Sequence, residues 1–380
     1  MSKLKICVYA ICKNESKFID RWVESLKGEA DCVVVLDTGS TDDSVEKLKA
    51  YEPFVTVKQY DYFKELGYFR FDKARNDSLK LVPFDTDICV VLDLDQVPVK
   101  GWGDIIRDKF SKGYNEVRGY IVDHDPYTGK ELNRWHSRNV HPNSSNWFWT
   151  KIIHEGIEYY SNKNSDSINP IFCEDFVINH YPDESKDRSL YKTLLEYAVK
   201  EYPQDPYYGI YLGIELSRRY SKKEAANAFR RCLDECNFEN NNDILYQTYI
   251  NLALVTDDKQ EALSCLIDAK SLGFETRRYY KTLADVYESL EKYDDAIRAL
   301  TDAVEKVQSY SGDWKDNKEY FGSYIENRLS LFYYYRKNNY PKALEWCARA
   351  LEKEPNDPIA HKNLDFYYKA CKELYKDMEK

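Results

Sequence analysis

The sequence predicts an α/β domain with a mixed, mostly parallel sheet, followed by an all-α array of helical repeats. Three observations carry this. Short apolar runs alternate with helix-period segments through the first half. Strand-like runs stop near Ser185. Beyond that point a unit built on paired small residues recurs at spacings of 37, 34 and 47 residues. A length of 380 residues suits roughly two to three domains.

Residues 5–11 form a β-rich run, and Lys13–Ser16 opens a helix with apolar positions at Phe18, Ile19, Trp22, Val23 and Leu26, stopped by Gly28. Val33–Leu36 is a near-continuous apolar strand of the kind buried on both faces of a parallel sheet. The turn Asp37–Asp42 supplies N-cap residues for a helix over Ser44–Tyr51. A strand at 54–60, a helix at Asp72–Leu81 ended by Pro83, and a strand at Ile88–Leu92 complete a βαβαβαβ order.

In the second half, Ala225, Ala262, Ala296 and Ala343 are each followed seven residues later by Cys232, Ala269, Ala303 or Ala350. Small residues seven apart share one helix face and let a neighbouring helix approach closely. Of the 34 Tyr, 23 lie beyond residue 186; core packing explains them better than ligand stacking. Tyr220, Tyr293 and Tyr340 precede three of the units, and Pro355–Pro358 separates a final capping helix. The pattern resembles the tetratricopeptide repeat, whose helix–turn–helix units stack into a solenoid with a concave binding surface.

Composition limits the function classes. The net charge of −10 counts against non-specific binding of duplex nucleic acid, though a local basic groove is still compatible with it. No apolar run approaches the ~18 residues of a membrane span; the longest, Cys32–Leu36 and Ile88–Leu92, are strand-sized. Residues Met1–Lys5 lead directly into a strand pattern without a signal-peptide core, and the ten Cys contain no CxxC pair. Reduced thiols and a cytoplasmic location are expected.

The sharpest chemical signal is Val90-Val91-Leu92-Asp93-Leu94-Asp95-Gln96. Along an extended chain Asp93 and Asp95 point to one side, and paired carboxylates at a strand end suit a hard divalent cation, Mn²⁺ or Mg²⁺. The carboxyl edge of an open α/β sheet is also where ligands bind. With the strand end Ile6–Glu15, the turn Asp37-Thr38-Gly39-Ser40-Thr41-Asp42 and the helix Phe71-Asp72-Lys73-Ala74-Arg75-Asn76, this motif resembles the family-two glycosyltransferases of GT-A fold. Gln96 departs from a related subgroup, which has an acidic residue there.

The resemblance implies a nucleotide-diphospho-sugar donor, with a UDP-sugar expected. Asn14, Glu15, Asp37 and Asp93 would then lie near the nucleoside, Arg75 on the phosphates with Asn76 supporting its loop, and Asp95 on the metal. A helix cap for Asp37 and a surface ion pair for Arg75 are the ordinary alternatives. Residues 118–181 hold five of the six His, together with Trp135, Trp147 and Trp149, and would line the acceptor side. His180 and His154 are candidate further metal ligands, beside the alternative of structural histidines. Family-two enzymes are generally inverting, which calls for one base; Glu155 is the first candidate, with Asp123 and Asp125 as alternates.

Residues 1–185 are thus expected to form the catalytic domain, 186–204 a connecting helix and 205–380 the repeats. A GT-A domain joined to such repeats is similar to bacterial peptide S-glycosyltransferases, implying a peptide or protein acceptor. A surface glycan, a lipid-linked precursor or a modified nucleobase is the alternative acceptor, and a non-catalytic repeat scaffold the alternative function. A homodimer is compatible with these features.

Overall fold

The computed structural model describes residues 3–125, 127–161, 167–183, 189–310 and 315–378. The chain divides into two compact units, Met1–Leu194 and Leu195–Lys380. The junction expected near Ser185 lies outside the described residues.

In the first unit the order is β1 (Ile6–Cys12), α1 (Ile19–Leu26), β2 (Cys32–Asp37), α2 (Ser44–Lys49), β3 (Val55–Gln59), α3 (Tyr62–Leu66), α4 (Phe71–Leu79), β4 (Ile88–Val91), β5 (Gln96–Pro98) and α5 (Trp102–Ser111). There follow β6 (Glu116–His124), β7 (Glu131–His136), β8 (Val140–Pro142), β9 (Trp147–Thr150), β10 (Gly156–Tyr159) and β11 (Pro170–His180). The main sheet runs β3-β2-β1-β4-β8-β6-β11-β5, with β7 paired to β6; β9 and β10 form a separate hairpin.

Strands β1, β2, β3 and β4 pair in parallel, as do β6 and β11; β5, β7 and β8 pair antiparallel. Because β8 runs antiparallel to both β4 and β6, the carboxyl ends of all the parallel strands reach one edge. Continuous apolar runs in β1, β2 and β4 follow from burial on both faces. Ile6, Val8, Val33, Val35, Ile88 and Val90 pack on the side of α1, against Ile19, Trp22 and Leu26. Cys7, Tyr9, Val34, Cys89 and Val91 pack on the other side with Trp147 and Trp149.

The structure differs from the sequence reading in three places. The short helix α3 was not expected, and α4 starts one residue earlier than predicted, at Phe71, whose N–H donates to the Ile152 carbonyl (2.9 Å). Strands β6 to β11 fill a region in which no strands were assigned. Asp93 and Asp95 do not lie on an extended strand: the Gln96 N–H donates to the Asp93 carbonyl (2.9 Å), so Leu94 and Asp95 form a tight turn and strand alternation does not apply.

Helix α6 (Ser189–Glu201) leads into the second unit. Four antiparallel pairs follow: α7 (Pro206–Arg219) with α8 (Lys222–Glu235), α9 (Asn242–Val255) with α10 (Lys259–Ser271), α11 (Arg277–Ser289) with α12 (Tyr293–Lys306), and α13 (Tyr324–Tyr335) with α14 (Tyr340–Lys353). Helix α15 (Pro358–Met378) packs on α14. The small-residue pairs lie on the second helix of each pair, and all eight residues are buried. Residues 307–323 account for the longer last spacing; the buried Arg277 side chain donates to the carbonyls of Val307 and Tyr320 (2.7 Å each). Among the described residues no helix is long and apolar enough to cross a membrane.

Helices α7 and α8 approach closely because Gly209 and Gly213 face Cys232 and Phe229, and a Cβ at Gly213 would collide with the Phe229 ring. Gly213→Ala is therefore expected to destabilise the helical unit by roughly 1–3 kcal/mol through overpacking, despite alanine's better helix propensity. Urea unfolding followed by circular dichroism measures this.

Candidate active site at the carboxyl edge of the sheet

Asp37 ends β2 and is fully buried. Its Oδ1 accepts from the N–H groups of Gly39 (3.2 Å) and Ser40 (3.1 Å), a turn that needs the positive φ of Gly39 (106°). Its Oδ2 is buried and without a hydrogen-bond partner among the described residues. Asn14, itself at φ 56°, accepts from the Thr41 N–H (2.7 Å), and the Glu15 N–H donates to Ser44 Oγ (2.9 Å). These contacts staple the loop after β1 to the loop after β2. The Asn14 side chain, expected near a nucleoside, is thus occupied in holding the Asp37 turn.

Arg75 projects from α4 and is buried. Its Nη2 donates to Asp93 Oδ1 (2.6 Å), its Nε donates to Glu155 Oε1 (3.0 Å), and its guanidinium lies 5.4 Å from the Trp149 ring. Its Nη1 is buried and without a hydrogen-bond partner among the described residues. Burial opposes the charge on Arg75, but Asp93 and Glu155 outweigh it and hold its pKa above the usual arginine range. The next residue, Asn76, pairs with the backbone of Trp149 in both directions (2.8 and 2.9 Å), which fixes β9 over α4. The turn before Glu155 uses left-handed conformations at Lys151 (φ 73°) and His154 (φ 54°) and delivers the Glu155 carboxylate to Arg75.

A second charged group lies where β6, β11 and the start of β5 meet. His180 stands opposite Asp123 in the β11–β6 register and opposite Gln96 in the β11–β5 register. Its Nδ1 donates to Asp123 Oδ1 (2.5 Å), and its Nε2 lies 3.5 Å from Asp95 Oδ2. Burial lowers the His180 pKa, but hydrogen bonds to Asp123 and Asp95 and their charges raise it to about 9. Gln96 Oε1 accepts from the Asp93 N–H (3.1 Å), so the residue that departs from the acidic subgroup braces the turn carrying both aspartates.

The edge therefore brings together Asp37, the Arg75–Asp93–Glu155 bridge, and the Asp95–His180–Asp123 group. His154 is not part of it: its ring is exposed and meets Tyr191 edge-on (6.1 Å), and among the described residues no three His, Cys, Asp or Glu side chains converge on a metal-sized site. Asp125 is occupied in a turn, where its Oδ1 accepts from the N–H groups of Tyr127 (3.0 Å) and Thr128 (2.7 Å).

A family model described as glycosyl transferase family 2 matches residues 7–173. The first unit carries a family 2 glycosyltransferase domain. Members of this family generally use nucleotide-sugar donors and often a divalent cation. No curated protein matches the chain in sequence. Solved structures similar to the chain include tetratricopeptide-repeat (TPR) proteins and the protein MamA. TTC0263, a thermophilic TPR protein of Thermus thermophilus, is 22% identical over 47% of this chain and 88% of its own, with a TM-score of 0.32. YrrB, a TPR protein with an unusual peptide-binding site, is 18% identical over 48% and 84%, with a TM-score of 0.35. MamA of Desulfovibrio magneticus is 18% identical over 44% and 85%, with a TM-score of 0.36.

Sequence reasoning missed a buried hydrogen-bonded chain on the Trp149 side of the sheet. Trp149 Nε1–H donates to the Tyr9 hydroxyl (3.1 Å), which faces His141 Nε2 (2.9 Å), and His141 Nδ1 lies 2.9 Å from the Pro142 carbonyl. Only one arrangement satisfies every group: Nδ1–H donates to Pro142, and Nε2 accepts from Tyr9. The continuous apolar run of β1 marks Tyr9 as core, but nothing local in the sequence pairs it with a histidine 132 residues away.

Burial lowers the His141 pKa to about 4, from 6.5 in an exposed histidine. The unfolded chain therefore takes up its proton first as pH falls. Stability is fully present above about pH 6.5 and declines until about pH 4, with about 2 kcal/mol lost at pH 5. His141→Gln keeps polar groups at this position without titrating there. His180, whose pKa is raised, gains stability as pH falls over the same range in both proteins, so the test is the difference: the urea midpoint of the wild type relative to that of His141→Gln should fall between pH 8 and pH 5.

Proposed function

We propose that the protein is a metal-dependent, inverting glycosyltransferase that moves a sugar from a nucleotide-diphospho-sugar, with UDP as the expected nucleotide, to a peptide or protein acceptor. The observation that carries this reading is the pair of buried, unpartnered polar atoms, Asp37 Oδ2 and Arg75 Nη1, on elements that meet at one sheet edge within the family 2 domain. Buried polar groups without partners are costly, and a ligand that completes them binds with that energy. Asp37 would accept from the nucleoside, and Arg75 would donate to phosphate oxygens through its planar fork.

Asp95 and His180 are the residues that would hold a divalent cation, which would displace the Nε2 proton of His180 and take its remaining ligands from the donor diphosphate, since among the described residues no third His, Cys, Asp or Glu side chain converges there. Asp123 fixes the His180 ring through Nδ1 and leaves Nε2 facing Asp95, an arrangement in which a second carboxylate orients a histidine ligand. Bound there, the cation would neutralise charge on the departing diphosphate. Glu155 is the proposed base. It takes the proton of the acceptor hydroxyl or thiol as that atom bonds to the anomeric carbon. The bond from the anomeric carbon to the diphosphate oxygen breaks with its electron pair leaving on the diphosphate. In the free protein Glu155 is held by Arg75, so a diphosphate that competes for Arg75 releases the base as the donor arrives.

Three measurements test this. Asp95→Asn should lower turnover by about a hundredfold or more while leaving the unfolding midpoint near that of the wild type. Wild-type activity should also be lost in EDTA and restored by Mn²⁺. Asp37→Asn should weaken UDP binding by calorimetry by about 1–3 kcal/mol, the scale of a hydrogen bond lost from a buried carboxylate. Unchanged UDP affinity in this variant would place the donor elsewhere.

A further inference from the structure

Strand β7 is an outer strand whose free side has no described partner. It continues the order β5-β11-β6, and among the described residues it pairs with β6 alone. Natural sheets usually blunt such edges with proline, lysine or a covering segment. β7 has neither residue, and it exposes Leu132 (51%) and Trp135 (36%). Its one arginine, Arg134, is paired within the strand to Glu131 (2.6 Å).

The two faces of β7 differ. Arg134 and His136 lie over Tyr120 (5.2 and 5.6 Å), and His136 also meets Phe172 (4.7 Å). Asn133 and Trp135 take the opposite face. Asn133 stands opposite Asp123 in the register, and the Trp135 ring meets His180 edge-on at 6.2 Å. Side chains on this face therefore continue directly into the Asp123–His180–Asp95 group. Backbone direction follows as well. The Ser137 N–H donates to the Gly119 carbonyl on β6 (2.9 Å), so alternation turns the N–H and C=O groups of His136 and Arg134 away from β6.

We propose that this free edge is the acceptor dock: an extended acceptor peptide adds to β7 as a further strand, bonded to the backbone of Arg134 and His136. Every second side chain of that strand falls on the face of Trp135 and His180, which presents a hydroxyl or thiol there to the donor. A ladder of backbone groups recognises main chain, which a glycan or a nucleobase does not offer. The inference rests on the transferase reading above.

The test uses the full-length protein, UDP-sugars, and a pool of eleven-residue peptides, each with one central Ser, Thr or Cys between β-branched residues. Donor hydrolysis and peptide glycosylation are read separately by mass spectrometry. The best acceptor is then remade with N-methyl groups on alternate backbone amides, in both phases. One phase should raise KM by about tenfold or more and the other should leave it unchanged, because only alternate amides face β7. Arg134→Pro removes one outward N–H without cutting a bond to β6. It should reproduce that loss with donor hydrolysis intact, whereas Arg134→Ala should retain transfer. Equal transfer from both methylated phases, or unchanged transfer by Arg134→Pro, overturns the docking mode. Donor hydrolysis without transfer to any peptide also overturns it. Absence of donor hydrolysis in the wild type instead defeats the transferase reading itself, and the dock with it.

Discussion

A buried guanidinium organises the carboxyl edge of the sheet. Arg75 has little access to water, so its charge must be met by groups the fold supplies, and two carboxylates from distant parts of the chain do so. This requirement fixes several local structures at once. The turn after β4 has to place Asp93 within reach, and Gln96 braces that turn. The segment before β10 has to adopt two left-handed residues to bring in Glu155. Helix α4 has to begin at Phe71, tied to Ile152, so that Arg75 points inward. One nitrogen of this arginine is still without a partner among the described residues, as is one oxygen of the buried Asp37 carboxylate at the end of β2.

The parts of the fold legible in the sequence are those whose signals are local. Strands β1, β2 and β4 show as apolar runs because both faces are covered, and α1 shows as a period of Ile19, Trp22, Val23 and Leu26. The paired small residues of the second unit are equally direct, since each marks a helix contact. Strands β6, β7 and β11 are less visible because polar and exposed residues interrupt their apolar positions. The relation between Asp93 and Asp95 was misjudged because a single hydrogen bond converts an extended segment into a turn. Choosing between His154 and His180 needed the β6–β11 register, which sets Asp123 against His180 and is a property of strands far apart in sequence. Asn76, expected to support the Arg75 loop, bonds strand backbone, and Asn14, expected near the nucleoside, uses its side-chain oxygen on loop backbone.

The second unit relies on a different constraint. Its core combines alanines at the helix contacts with larger Ile, Leu, Phe and Tyr side chains drawn from successive helix pairs, so each pair completes its neighbours. The segment between α12 and α13 interrupts the spacing without breaking the array. Arg277 donates to the Val307 and Tyr320 carbonyls of this segment, and Asp316 accepts from the N–H groups of Arg277 and Arg278 (2.8 and 2.9 Å) at the start of α11. The segment thereby serves as a helix cap for the pair that precedes it.

The pairing of Asn76 with Trp149 has a consequence for solubility. Strand β9 reads Trp-Phe-Trp-Thr, and its hairpin with β10 uses only one of its two sides. The other side would offer bare N–H and C=O groups beside aromatic side chains, the combination that recruits another chain into a growing sheet. The Asn76 carboxamide matches a peptide group in shape and polarity, and it occupies both backbone positions of Trp149 as a strand would. One side chain on a helix thus closes a sheet edge that would otherwise be sticky, whereas the outer side of β7 has no partner among the described residues.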